Sequence, residues 1–414
     1  MTLLIVGDRM RWSQRIALAL LGIVFGFFLV QTVRAAYDEG GYDLSGYLVA
    51  AQDMLHGQDP YTGHELPHAI EGLQITPHAF IYPLFAALLF LPLTLLPYAL
   101  SNVLWFLTSV VSLLVIWRVL LGLVAGLPKT TGVVPFAAPA LLLLAVLFSP
   151  LQNNFVNGQI NLMVVACCVL FLHYFVKQRP VLAAFWLATA IMIKLLPIML
   201  LLFLLIRKQY RMIFFTGAFA LLFLLLPVLV VGDKLIEFHQ SYLHSFLSAK
   251  LLGTHVDHAR PLLSLQGVVA LFSPALGLLG GTKIVSLLFA LAAILGVEVA
   301  TARMPSPARE VWAFGAYLIG ALLVSPMPEK HHLVLIIPPC ALVCLKLFFD
   351  PQWRSKTMLT LTALFGVCLA VLPRLVRHSP SEFIALVILL VLLCLAARQE
   401  ANAPGFQRTA TNAS

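Results

Sequence analysis

Apolar runs long enough to cross the ~30 Å hydrocarbon core of a bilayer, at 1.5 Å of rise per helical residue, recur along this chain. They extend from Ile16 to Ala397 of 414 residues. Hydrophobic residues make up 61 % of the sequence and charged residues 10 %, where a soluble domain carries about 25 % charged residues. No soluble domain fits between the runs. Backbone polar groups in lipid must be satisfied within the segment that carries them, which leaves helices as the spanning element here. The expected fold is an all-α, polytopic integral membrane protein with about 10–13 membrane helices, counting re-entrant and broken segments.

The distribution of charge sets the expected orientation. Arg9, Arg11 and Arg15 precede the run Ile16 to Val33, which has the order of a secretory signal but no clear small-residue cleavage site beyond Ala35-Ala36. It is read as a retained first helix, with residues 1–15 in the cytoplasm. Basic clusters at Lys177 and Arg179, at Arg207, Lys208 and Arg211, and at Arg303 and Arg309 fall on the same side. That bias is the positive-inside rule, and it accounts for the net charge of +9 without any nucleic-acid partner. All six cysteines lie within apolar runs, so no disulfide framework or zinc site is expected.

An external loop over residues 34–79 holds seven of the seventeen acidic residues. The run Phe80 to Pro97, broken by Pro83, Pro92 and Pro97, reads as a re-entrant hairpin or a short crossing. Further crossings are expected at Ser101 to Leu121, Val134 to Phe148, Ile160 to Val176, Met212 to Val231, Ile284 to Ala300, Val311 to Val324, Leu333 to Phe349, Thr357 to Pro373 and Phe383 to Ala397. The basic clusters flanking Val181 to Ile206 require one side of the membrane for both ends. A hairpin of two half-helices breaking at Lys194-Leu195-Leu196-Pro197 satisfies them. An external loop from Gly232 precedes a second awkward stretch, Pro261 to Leu279, which dips in without crossing. The membrane domain thus occupies 16–397, and the polar tail 398–414 is expected to be disordered. Broken helices at membrane depth are tolerated where they are buried in protein or line a watery cavity, so both breaks point toward a site.

Several polar residues stand out against this background. Asp43 is read as a catalytic carboxylate in preference to the N-cap of a helix from Leu44 to Leu55, whereas Asp59 before Pro60 reads as a turn former. An ionisable group in mid-membrane costs ~2.5–3.5 kcal/mol, so Lys194 must have a partner or a cavity. It either holds a phosphate, or pairs with a carboxylate, or snorkels to a lipid head group. The segment Ser325-Pro326-Met327-Pro328-Glu329-Lys330-His331-His332 is either a phosphate-stabilising cluster or a polar turn joining two crossings. Adjacent histidines make a poor metal pair, and His255-x-Asp257-His258 is only a weak metal signal. Gly158-Gln159-x-Asn161 is read as helix packing with some cavity lining.

The series Tyr42-Asp43-Leu44-x-x-Tyr47, Ala50-Ala51-x-x-Met54-Leu55-x-Gly57-x-Asp59-Pro60-Tyr61 and Phe80-x-Tyr82-Pro83-Leu84 continues downstream with Asn157-Gly158-Gln159-x-Asn161, Lys194-x-x-Pro197 and Ser325-Pro326 before His331-His332. In that order, over residues 16 to 350, it resembles the GT-C glycosyltransferases of family eighty-seven, the polyprenyl-phosphate-mannose-dependent mannosyltransferases. The resemblance implies transfer of a sugar, most often mannose, from a polyprenyl-phosphate donor to a lipid-linked or glycan acceptor. It places the active site on the outer, periplasmic side of the inner (plasma) membrane, with an acid at the end of the first helix as base, here Asp43. The loop after Val231 departs from the family pattern, which leaves the acceptor open.

The chemistry agrees with that implication. Transfer from a glycosyl phosphate passes through an oxocarbenium-like state, needs a base for the acceptor hydroxyl, and releases an anion. A β-linked donor displaced in line gives an α product. The chain contains no Asp-x-Asp motif, and neither a metal nor another cofactor is expected. Asp43 is the candidate base, and Lys194, Lys330, His331 and His332 are the candidate donor-phosphate ligands. Tyr47, Tyr82, Gln159, Asn161, His258 and Arg260 are candidate substrate contacts, and membrane lipids are the remaining partners. A transporter or flippase of a lipid-linked sugar is the alternative, although the chain shows no paired repeat.

Overall fold

The computed structural model describes residues 12–38, 42–62, 68–70, 73–75, 78–125, 137–246, 265–272, 281–325, 329–350, 353–376 and 379–401. These residues are helical apart from turns and one antiparallel two-stranded ribbon, His68–Ile70 with Leu73–Ile75. Seven helices among them are long and apolar enough to cross a membrane, and an eighth span is counted if the pair Ala138–Leu147 and Ser149–Val156, bent by 75°, is one crossing. Four shorter apolar helices lie beside them. Large side chains such as Ile23, Phe214, Leu229 and Ile284 are exposed on the outside of the bundle, as a lipid-facing surface requires.

The connectivity defines two ends. The helix Asn161–Val176 has 16 residues and therefore carries the chain about 24 Å from Asn161. Pro180–Ile193 returns it to Lys194, and Met199–Ile206 descends again to Arg207. The break expected at Lys194 is present: Lys194 is extended, with φ −153° and ψ 128°, and Leu196–Ile198 form a 3-10 turn. Pro197 lacks the N–H that would bond the Ile193 carbonyl, so the helix cannot continue through it.

At the far end, the Arg207 side chain donates to Glu298 at 2.8 Å and to Glu310 at 3.2 Å, and Arg309 reaches Glu298 at 3.3 Å. The basic clusters that sequence reasoning put on one side therefore share one end. The run Phe80 to Pro97 resolves as a re-entrant segment, a short helix Leu84–Leu88 followed by a 3-10 turn Leu91–Leu95. It cannot cross, because Tyr37 at the close of the first helix packs against Tyr98 at the start of the next span, with ring centroids 5.9 Å apart. Both flanks thus lie at the end opposite Arg207.

Three expectations need correction. The first helix runs past Val33 to Asp38, and the helix read as Leu44 to Leu55 spans Tyr42–Leu55, with Asp43 in its first turn rather than at its N-cap. The stretch after Gly232 is not an open loop: it continues as the helix Leu235–Tyr242 and remains helical to Phe246. The last helix extends to Ala401, past the expected start of the tail at 398. Lys346, within the span Lys330–Leu347, is fully buried and bonds Glu400 at 2.8 Å.

Candidate active site

Two neighbouring turns place Asp43. It lies in the first turn of the Tyr42–Leu55 helix, a position whose helix dipole favours a negative side chain. Its backbone N–H donates to the Asn157 carbonyl at 3.2 Å. Gly158, next in the chain, has φ +62° and sits so close to the helix that a Cβ would come within 2.9 Å of Leu44 Cβ. Only glycine meets both demands at this point. Trp105 Nε1 donates to the Gly158 carbonyl at 2.7 Å and fixes the turn from the other side.

From Asp43 a line of side-chain amides runs into the protein. Gln159 Nε2 donates to the Asp43 carboxylate. Gln159 Oε1 accepts from Asn161 Nδ2 at 3.2 Å and lies 3.3 Å from the Tyr47 hydroxyl, which also reaches the Tyr82 hydroxyl at 3.1 Å. Asn161 Oδ1 in turn accepts from Lys194 Nζ at 2.8 Å. A carboxylate at one end and a lysine at the other orient both amides in one sense, and dipoles aligned in this way reinforce one another in a poorly polar interior.

Lys194 Nζ lies 2.7 Å from His332 Nε2 and 5.1 Å from the centre of the Tyr82 ring. The Glu329 N–H donates to His332 Nδ1 at 3.0 Å, as part of a capping box at the start of the Lys330–Ile336 turn. A neutral His332 therefore carries its proton on Nε2. Lys194 and His332 thus share one short polar contact at the head of the site, and an oxyanion brought beside them can accept N–H bonds from both. In the span Lys330–Leu347, 83 % of the residues are buried, the largest share among the seven long apolar helices described, so His332 is held in the packed interior.

Lys194, His332 and Tyr82 form the polar end of a cavity of about 990 Å³ including its open mouth. Its other walls are apolar, with Ile81, Leu195, Leu196, Met199 and Val324 among them, and Tyr242 and Phe246 at the side. A charged head with an apolar groove beside it matches a phosphate that carries a hydrocarbon chain. Asp43 does not line this cavity. Its side chain is 16 % exposed and communicates with it through Gln159, Asn161, Tyr47 and Tyr82.

The comparisons with known proteins bear on the same residues. The model of glycosyltransferase family 87 matches residues 80–326. The chain belongs to that family. The matched region of this family 87 member contains Tyr82, Gln159, Asn161 and Lys194, while Asp43 and His332 flank it. A polyprenol-phosphate-mannose-dependent alpha-(1-2)-phosphatidylinositol mannoside mannosyltransferase of Mycobacterium tuberculosis is 29 % identical over 88 % of this chain and 83 % of its own length. A protein of the same name from Mycolicibacterium smegmatis is 25 % identical over 72 % of this chain and 68 % of its own. No solved structure matches.

The remaining candidates of this family 87 chain divide three ways. His331 is buried, stacks edge-on against His332 with centroids 4.6 Å apart, and lies 3.4 Å from Glu329. Lys330 is drawn instead to Glu382, at 3.9 Å, and the structure does not bring it to Lys194. His258 and Arg260 lie outside the described residues. The turn reading of Asp59 holds, since its carboxylate accepts the Tyr61 N–H at 2.9 Å. Sequence reasoning missed His78, whose Nδ1 lies 3.5 Å from Asp43 Oδ1. A lone loop histidine 35 residues downstream offers no pattern to read.

Proposed function

We propose that this chain is an inverting, metal-independent hexosyltransferase that takes mannose from a polyprenyl phosphate and passes it to a lipid-linked or glycan acceptor. One observation carries the reading: a lysine on a broken helix heads an apolar cavity and is joined through two aligned amides to a half-buried carboxylate. In this mechanism Asp43 takes the proton of the acceptor hydroxyl as its oxygen bonds the anomeric carbon. The bond from that carbon to the phosphate oxygen breaks, and the phosphate leaves with the electron pair. Lys194 and His332 stabilise the negative charge that gathers on it, in a site where water screens little. Displacement in line on a β-linked donor yields an α product, the linkage in the names of both relatives.

The donor and acceptor named for those relatives support mannose and a phosphatidylinositol mannoside as the first substrates to try. The basic end around Arg207 is assigned to the cytoplasm, which puts Asp43 on the outer side. A lipid anion already charged at neutral pH needs no metal to leave, provided that cations meet it.

Purified protein in liposomes should be assayed with a panel of radiolabelled polyprenyl-phosphate sugars in EDTA. The expected result is label in the acceptor from polyprenyl-phosphate mannose. Loss of turnover in EDTA, restored by one divalent ion, would replace the metal-independent step with a metal-bridged phosphate. Movement of lipid across the liposome without any transfer would favour a transporter.

A further inference from the structure

We propose that His78 is a proton-relay and positioning residue for this reaction, acting through Asp43, which resets the carboxylate after each transfer by carrying its proton to water. The proposal rests on the reading of Asp43 as the base, since a base that has taken the acceptor's proton must lose it before the next turnover. The Asp43 side chain is 16 % exposed, whereas that of His78 is 56 % exposed. The facing atoms, His78 Nδ1 and Asp43 Oδ1, are 3.5 Å apart. The proton passes from the carboxylic acid to Nδ1, Nε2 releases one to solvent, and proton exchange with water restores the Nε2–H tautomer before the next turnover. The net result of a turnover is one acceptor proton delivered to water, with Asp43 ionised and His78 neutral again.

The backbone is built for this contact. Gly46, one turn along the helix from Asp43, lies against the His78 carbonyl, and a Cβ there would overlap it. The absent side chain lets the loop dock on the helix at the level of the base. Among the described residues, the charged or titratable groups that act on His78 include Asp43 on the Tyr42–Leu55 helix, Glu329 just ahead of the Lys330–Leu347 span, and His331 within it. The hydrogen bond to Asp43 holds the imidazole above its ordinary value, with the Asp43 and Glu329 charges adding to it against partial burial. The sign follows directly. The ion pair is fully formed below the ordinary histidine value and is lost as pH rises through the raised one. Below that raised value His78 is already protonated and cannot take another proton, so transfer should fall on the acid side.

The test is a pH profile of kcat for the full chain in liposomes. The parental protein should show an acid limb in the upper histidine range. In His78→Gln that limb should vanish and kcat at neutral pH should drop about tenfold, less than the ~10²-fold of a lost general base. In His78→Ala, added imidazole should restore most of the rate, which no purely structural role explains. Gly46→Ala, which keeps the imidazole but displaces its loop, should lose the same limb. An unchanged acid limb in His78→Gln, or no rescue of His78→Ala by imidazole, overturns the relay while leaving Asp43 as base. Parental transfer by Asp43→Asn overturns the base, and the relay with it.

Discussion

Gln159→Leu isolates the amide line between the two charged ends. Leucine keeps the approximate volume, so the helix packing around this buried position is retained. Three interactions are lost: the Nε2–H bond to the Asp43 carboxylate, the acceptor for Asn161 Nδ2, and the acceptor beside the Tyr47 hydroxyl. A hydrogen bond to a charged group contributes about 1.5–3 kcal/mol, and a buried donor left without its partner costs about 1–3 kcal/mol. Asp43 keeps its backbone bond to Asn157 and its contact with His78, so the carboxylate is loosened rather than released. About 2 kcal/mol less restraint on its position corresponds to roughly a thirtyfold loss in transfer, at tenfold per 1.4 kcal/mol. The assay is transfer by purified protein in liposomes, with kcat and donor KM measured separately and thermal unfolding as the folding control. Because Gln159 holds the base rather than the donor, the loss should appear in kcat. A folded Gln159→Leu protein within twofold of the parental kcat would refute the role given to the amide line.

Two further outcomes concern the frame that carries the site. Arg207→Met leaves Glu298 and Glu310 without the cation between them, and Arg207 and Glu298 are 6 % and 7 % exposed. Unfolding in detergent should show a loss of about 3–5 kcal/mol, and an unchanged melting temperature would contradict the buried network. For orientation, single cysteines at exposed positions should be introduced after removal of the native six. An impermeant thiol reagent added outside should label His78→Cys and spare Lys208→Cys, and the reverse pattern would invert the topology.

The parts of the fold legible in the sequence were those governed by local rules. Lengths of apolar runs, the positions of basic clusters and the missing N–H of Pro197 located the spans and the break at Lys194. The pairing of Lys194 with a polar partner was also foreseeable, because lipid does not tolerate a lone charge. The identity of its partners was not: Asn161 and His332 come from positions 33 and 138 residues away, on other helices. Gln159 and Asn161 read as packing amides with some cavity lining and as candidate substrate contacts, since nothing local separates an amide with those roles from one that links two charges. Lys330 reads in the sequence as part of a phosphate-stabilising cluster, and only the fold reveals Glu382 at 3.9 Å. The re-entrant segment 80–97 could not be assigned a parity until Tyr37 and Tyr98 were seen together.

The most direct measurement of the central claim compares Asp43→Asn with Lys194→Met in purified form, with donor binding and transfer read side by side. Asparagine keeps the size of the side chain but cannot accept the proton. Asp43→Asn should therefore bind the polyprenyl-phosphate sugar as the parental protein does while transfer falls by about 10²-fold or more. Lys194→Met removes the cation at the head of the cavity and should weaken both binding and transfer. Transfer by Asp43→Asn at the parental rate would contradict the assignment of the base.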